Sequence, residues 1–291
     1  MKILVTGCKG QLGTELMQLL EASSHEVRGV DVDSCDLTDR TQVRDLFDGF
    51  RPEAVVHGAA FTAVDLCETQ PETAFAVNCL ATRFVADGAR RTGAHVVYVS
   101  TDYVFDGTKD GPYVEWDTPN PQSVYGLSKL GGERELDPAW TVARTSWVCG
   151  AHGNNMVKTV LRVAAERDEL SFVADQVGHP TFAGDLAAKL VQLAEGRVPG
   201  VHHVTNSGAV SWFEFVQAIL EAAGDRPDKV RPVTTAEFEA ARPADAPPMA
   251  PRPANSVLDN FALRHSGLGE LRDFREPLAE VVATLQAGGG G

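Results

Sequence analysis

Ile3-Leu4-Val5-Thr6-Gly7-Cys8-Lys9-Gly10-Gln11-Leu12-Gly13 stands at the head of the chain, and its reading decides the fold. A short apolar run meets three glycines spaced G-x-x-G-x-x-G. Leu12, Leu16, Leu19 and Leu20 then share one face at helical spacing. A second β-like run over residues 26–30 ends at Asp31, 24 residues past Gly7. Strand, glycine turn, helix, strand and acid are, in this order, the parts of a dinucleotide site. Gly7 lets the chain turn, Gly10 brings the backbone close to a pyrophosphate, and Gly13 lets the helix pack tightly on the sheet. The helix start offers unpaired N–H groups and the positive end of its dipole to the phosphates. Asp31 can accept hydrogen bonds from the adenosine ribose.

Working outward, the 291 residues suffice for a large core and two lobes, and 43% hydrophobic with 23% charged residues is ordinary for a globular protein. A net charge of −14 argues against a nucleic-acid partner, since phosphate binding needs clustered Lys and Arg. No apolar run approaches the ~20 residues of a membrane span. The first strand begins at once, so no leader and a cytoplasmic location are expected. Five scattered cysteines without C-x-x-C and eight histidines without H-E-x-x-H suggest reduced thiols and no metal.

Strand and helix patterns alternate along the first half. A helix capped by Thr38 is expected to reach about Phe50, followed by a buried strand over 54–60 and a loop over 61–70. One long helix over 71–91 starts at Pro71. A strand at 95–100, a Gly/Pro/Asp-rich loop over 101–122, a helix at 123–136 and a strand at 141–144 come next. This alternation implies an α/β fold with a doubly wound parallel sheet. Beyond Trp147 the pattern is less regular. Helices are expected at 155–167, 185–195, 211–223 and 275–287, with strands at 170–174 and 201–205. Ser211 and Glu214 have capping-box spacing. Residues 243–253 hold five prolines and read equally as a linker or a substrate-facing loop, and Gly288–Gly291 should be frayed. The expected division is a dinucleotide-binding domain over 1–148 and a smaller substrate lobe over 149–291, with parts of 170–206 returning to the sheet.

Tyr125 and Lys129 lie four apart on an expected helix and so share a face. A lone tyrosine, with a pKa of about 10, transfers protons poorly at neutral pH. A nearby ammonium and an oxidised nicotinamide favour the phenolate and bring that pKa toward the working range. Thr101, just past the fourth strand, is placed to hold a substrate carbonyl for Tyr125. Ser100 is its rival, on the opposite face.

The glycine spacing resembles the extended branch of the short-chain dehydrogenase/reductase superfamily, with its Rossmann-like fold. Longer runs narrow this: Ser100-Thr101-Asp102-Tyr103-Val104-Phe105-Asp106-Gly107, Tyr125-Gly126-x-x-Lys129, and Arg144-Thr145-Ser146-Trp147-Val148. With Asp175-Gln176-Val177-Gly178-His179-Pro180-Thr181, residues 59–65 and Arg252-Pro253-Ala254-Asn255-Ser256, they resemble the dTDP-4-dehydrorhamnose reductase family. The resemblance implies that Gly10, Gln11 and Leu12 face the pyrophosphate, Asp31 the ribose, and Asp36-Leu37 the adenine. Ala60, Phe61 and Thr62 would flank the cofactor, although the family often has His where Phe61 stands. Tyr125 would donate the proton, and Lys129 would also contact the nicotinamide ribose. Thr101, Asp102, Tyr103 and Trp147 would face the substrate, with core packing the alternative for Trp147.

The implied reaction is reduction of the C4 ketone of a dTDP-4-keto-6-deoxyhexose by NADPH or NADH. Lys9 would favour a 2′-phosphate and Asp31 would repel one, so both cofactors stay open. A homodimer is one assembly the resemblance implies. Some relatives dimerise around magnesium held by C-terminal carboxylates, but no acid follows Glu280 here, so no metal is expected. The alternatives are a ketoreductase for another dTDP-deoxysugar, a non-catalytic regulatory subunit like that of methionine adenosyltransferase, and an epimerase or dehydratase using Asp102.

Overall fold

Continuous burial picks out the centre of the sheet. In a computed structural model describing residues 1–243, 246 and 248–288, every residue of Ala54–His57 and of Thr141–Thr145 is buried. Such strands are covered on both faces, as parallel sheets require. The elements run β1 (Lys2–Thr6), α1 (Gln11–Glu21), β2 (Glu26–Val30), α2 (Arg40–Phe50), β3 (Ala54–His57), α3 (Val64–Thr69) and α4 (Pro71–Phe75). A π-helical turn (Ala76–Leu80), α5 (Ala81–Thr92), β4 (His95–Thr101), α6 (Val124–Glu133) and β5 (Thr141–Thr145) follow. After these come β6 (Val148–Cys149), α7 (Met156–Glu166), β7 (Leu170–Val173), β8 (Val177–Gly178), β9 (Thr181–Phe182), α8 (Ala183–Glu195), β10 (Gly200–His203) and α9 (Trp212–Ala222). The six-stranded sheet has the order β2-β1-β3-β4-β5-β10, and every pairing is parallel.

Alternation along each strand builds two cores. Leu4, Val55, Val96 and Tyr98 meet Val43, Leu46 and Phe47 of α2 and Val85 and Ala89 of α5. Their neighbours Ile3, Val5, Val56 and Val97 meet Leu16 and Leu20 of α1 and Leu186, Leu190 and Leu193 of α8. A third cluster lies outside the sheet, where α7, α9 and the closing helix Arg275–Gly288 enclose Phe182, Phe215 and Phe274. Ser211 and Glu214 form the expected capping box on α9.

Several sequence expectations change. Asp36 takes both the backbone N–H and the hydroxyl of Thr38, so Asp39 caps α2 instead, accepting from Thr41 N at 2.8 Å and Gln42 N at 3.3 Å. The 61–70 loop contains α3, at six residues too short for its periodicity to show. The long helix from Pro71 does run unbroken to Thr92, with a π turn over Ala76–Leu80 inside it. The helix over 123–136 is α6, with Ser123 as its cap; a tighter turn, Glu135 N to Gly132 O, ends it. Within 170–206 only α8 and β10 return to the sheet, because β7 pairs with Val230–Val233 instead. The proline-rich stretch is irregular over 248–253 and bends back at Ala246; Ala244, Asp245 and Pro247 lie outside the described residues. So do Gly289, Gly290 and Gly291 of the expected frayed tail, whereas Gly288 closes the last helix.

Candidate active site

The chain leaves β1 toward β2 on one side and later places β3 on the other, so a crevice opens at the C-terminal ends of β1 and β3. Gly7 turns there with φ +70°, and a Cβ on it would lie 2.9 Å from Ala59 Cα. A Cβ on Gly13 would lie 2.0 Å from the Gly7 carbonyl oxygen. Gly10 begins α1 without a side-chain cap, which leaves the first-turn N–H groups of Gln11, Leu12 and Gly13 outside the helical ladder. A backbone cradle closed to side chains, with free donors at the positive end of a helix, fits a pyrophosphate. The Leu12 side chain is half-buried against the core. Gln11 donates to Val148 O at 2.9 Å and accepts from Asn155 Nδ2 at 2.7 Å, tying the turn to the β6–α7 region.

Asp31 is already engaged in shaping the turn. Its carboxylate accepts from Lys9 N at 2.9 Å and from Val32 N at 2.8 Å. The Lys9 ammonium pairs with Asp33 rather than Asp31. Asp36 is spent on Thr38, and Leu37 packs partly against the core beside α2. Ala60 and Phe61 are half-buried at the end of β3 and Thr62 is exposed.

Asn78, which the sequence reading passed over, holds this segment. From the π turn its side chain accepts from Phe61 N at 2.7 Å, donates to Phe61 O at 3.1 Å and donates to Ser128 Oγ at 2.9 Å. It is fully buried. Its sequence signal was a polar residue four positions from both Ala74 and Thr82 on the buried face. π turns recur at functional sites.

Thr101, Asp102 and Tyr125 come together at the end of β4. Thr101 Oγ1 donates to Asp102 Oδ1 at 2.9 Å and interacts with the Tyr125 phenol. Tyr103 packs edge-on against Tyr125, with ring centroids 5.5 Å apart. Burial pushes the Asp102 carboxyl up to about 6 against the opposing hydroxyls of Ser256 and Thr101, and its buried Oδ2 lies outside hydrogen-bond geometry with any group. Ser100 faces away and donates to Glu133, which removes it as a rival to Thr101.

The expected acidification of Tyr125 is not built into the protein alone. Burial, reinforced by the Asp102 charge, pushes the phenol well above the tyrosine range. Lys129 donates to Val99 O at 2.7 Å, and its ammonium lies 4.0 Å from the Tyr98 ring centroid. Burial pulls that ammonium down to about 7.

Trp147, with φ +45°, stacks on Trp212 at 3.6 Å between centroids, in part against the third core. Arg252 reaches from the end of the proline-rich stretch to Asp65 in α3, whose carboxylate also accepts from Ala250 N at 2.9 Å. It touches the Tyr103 hydroxyl as well. This end of the stretch therefore crosses the site rather than hanging free as a linker.

The family model described as "RmlD substrate binding domain" matches residues 1–287. The chain belongs to the dTDP-4-dehydrorhamnose reductase family. It is 41% identical over 297 residues to dTDP-4-dehydrorhamnose reductase of Aggregatibacter actinomycetemcomitans, covering 97% of this chain and 98% of that one. It is 40% identical over 294 residues to the probable dTDP-4,6-dihydroxy-2-methyloxan-3-one 4-ketoreductase of Streptomyces antibioticus, covering 99% and 96%. Among solved structures, dTDP-4-dehydrorhamnose reductase of Bacillus anthracis in complex with NADP superposes with a TM-score of 0.90 at 36% identity, over 97% and 99%. The family is one of nicotinamide-dependent oxidoreductases on an extended Rossmann-type fold. No helix among the described residues is long and apolar enough to cross a membrane.

Proposed function

We propose that this chain reduces the C4 ketone of a dTDP-4-keto-6-deoxyhexose, with dTDP-4-dehydrorhamnose as the first substrate to test. The observation that carries the reading is the meeting of Thr101 and Tyr125 beside the glycine crevice in a chain of this family. Gly7, Gly10, Gln11, Leu12 and Gly13 hold the pyrophosphate of NADPH or NADH, Asp31 and Asp36-Leu37 the adenosine side, and Ala60-Phe61-Thr62 the segment beside it. Bound and reduced, the cofactor supplies the hydride. Thr101 fixes the ketone oxygen, Tyr125 delivers a proton to it, and Lys129 eases the loss of that proton by standing near as an ammonium. Asp102 Oδ2 takes a sugar hydroxyl, which would satisfy its vacant acceptor. Tyr103 and Trp147 wall the substrate side. Residues 1–148 then hold the cofactor and supply Thr101, Asp102, Tyr103 and Trp147 to the substrate, and 149–291, apart from α8 and β10, mainly hold the sugar nucleotide. The five free thiols suit a reducing cytoplasm.

The test is loss of reduced-nicotinamide absorbance on adding dTDP-4-dehydrorhamnose, with Tyr125→Phe beside the parent. Tyr125→Phe should bind cofactor normally and lose about 10²–10⁴-fold in turnover. No consumption of either cofactor by the parent would defeat the reading. The Streptomyces antibioticus relative carries a second reading, a 4-ketoreductase for another dTDP-ketosugar, which a panel of such sugars separates from the first.

A further inference from the structure

The face of α6 that carries Tyr125 and Lys129 continues one turn further, to Glu133. Glu133 is held more firmly than a surface carboxylate needs. Arg144 grips it with two parallel bonds, Nε to Oε1 at 2.9 Å and Nη2 to Oε2 at 2.7 Å, and Ser100 Oγ donates to Oε1 as well. The two side chains are 4% and 7% exposed. Arg144 in turn is fixed over the Phe105 ring at 5.1 Å, and it comes from β5, the strand beside β4. A buried ion pair of this kind adds little net stability compared with apolar residues of similar size. Its position invites a different account.

Resting on the reductase reading above, we propose that Glu133, clamped by Ser100 and Arg144, is a positioning residue that keeps Lys129 in its ammonium form. Lys129 itself makes one hydrogen bond, to a carbonyl, and otherwise faces the Tyr98 ring. Its surroundings supply little other charge. From β3, His57 is locked between Thr6 and Thr82, and burial keeps it neutral. Tyr98 from β4 and Cys79 from the π turn stay protonated, both raised first by burial. Tyr125, with Asp102 from the turn after β4 and Glu68 from α3, belongs to the other end of α6; Glu68 caps it at Val124 N, 2.8 Å away. Glu72 of α4 is exposed. Among the described residues Glu133 is thus the anion whose field acts on Lys129, and it opposes the desolvation that pulls the ammonium down to about 7. Arg144 and Ser100 hold the carboxylate in place.

The sign follows. Removing the Glu133 charge lowers the Lys129 midpoint further, so less ammonium remains at neutral pH. With a displacement of about one pH unit, turnover falls about fivefold at pH 7 and hardly at all at pH 5.5. The alkaline limb of kcat/KM moves to lower pH in step. Two variants test this, Glu133→Gln and the double Glu133→Gln, Arg144→Met, which removes the pair without leaving a buried charge alone. The Lys129 midpoint is read by pH titration of the 13Cε resonances of lysine-labelled, cofactor-free protein, assigned with Lys129→Met. A lowered midpoint in both variants, with the alkaline limb displaced to match, supports the proposal even where Glu133→Gln melts early. A Lys129 midpoint unchanged in the folded double variant overturns it, as does a limb that returns to the parental position when the melting temperature does. Should the parent fail to turn over any dTDP-ketosugar, the reductase reading falls instead, and the resonance titration still decides the link between Glu133 and Lys129.

Discussion

Asp102→Asn offers a test whose direction runs against ordinary expectation for an active-site change. The folded protein holds a proton on Asp102 up to about pH 6, against 3.8 for an unburied carboxyl, because the side chain is buried. The folded state therefore binds more protons than the unfolded chain between those values, and this group's contribution to stability falls as pH rises through the window. Above about pH 6 the full cost is present, about 3 kcal/mol. Asparagine has no charge to desolvate, and its Oδ1 can still accept from Thr101 Oγ1, the bond now 2.9 Å long. The variant should accordingly melt higher than the parent at pH 7.5, by about 5–10 °C for a chain of this size. The difference should shrink through pH 5 and vanish near pH 4. Turnover should fall at every pH, because the vacant Oδ2 becomes an NH2 group and no longer accepts a sugar hydroxyl. Thermal melts of both proteins at four pH values, with kcat/KM at each, make the measurement. If Asp102→Asn is less stable at pH 7.5 by an amount that does not change with pH, Asp102 is an ordinary structural carboxylate and the account of the site is wrong.

Two further predictions address the frame that holds the site. Asn78→Ala removes three hydrogen bonds, two part-buried ones to Phe61 and a buried one to Ser128. About 2–4 kcal/mol of stability should go with them, read as a lower urea midpoint, together with weaker cofactor binding; a parental midpoint would strip Asn78 of its proposed role. Gly13→Ala places a methyl group 2.0 Å from Gly7 O and should weaken NADPH binding at least about tenfold in a fluorescence titration. Gly49→Ala, where an added methyl meets nothing within 4 Å, should leave binding alone and stabilise α2 by about 0.5–1 kcal/mol; equal affinities for the two variants would refute the cradle.

What could be read from sequence was what repeats or what one residue type alone can do. The parallel sheet was legible because strand and helix patterns alternate and β3 is a run of mostly small and β-branched residues, and the glycine cradle from the spacing of Gly7, Gly10 and Gly13 between a strand and a helix. The shared face of Tyr125 and Lys129 was legible from helical spacing, and Thr101 from its place at the end of a strand. What stayed hidden depends on which partner wins a competition. Thr38 and Asp39 are both fair caps, and Asp36 decides between them by taking Thr38. β7 could have joined the main sheet, but it is paired by Val230–Val233, nearly sixty residues later. Lys129 shows the same limit at the level of chemistry. Its spacing from Tyr125 announces a shared face, yet burial pulls its ammonium down, Glu133 opposes that pull, and Glu133 is gripped by an arginine on β5. Three side chains from α6 and β5 must therefore be considered together before the acidity of Tyr125 can be argued at all. The helix that presents the phenol also carries, two turns later, the anion that governs its neighbour, so a change at Glu133 should be felt in the pH dependence of the reaction without touching substrate or cofactor.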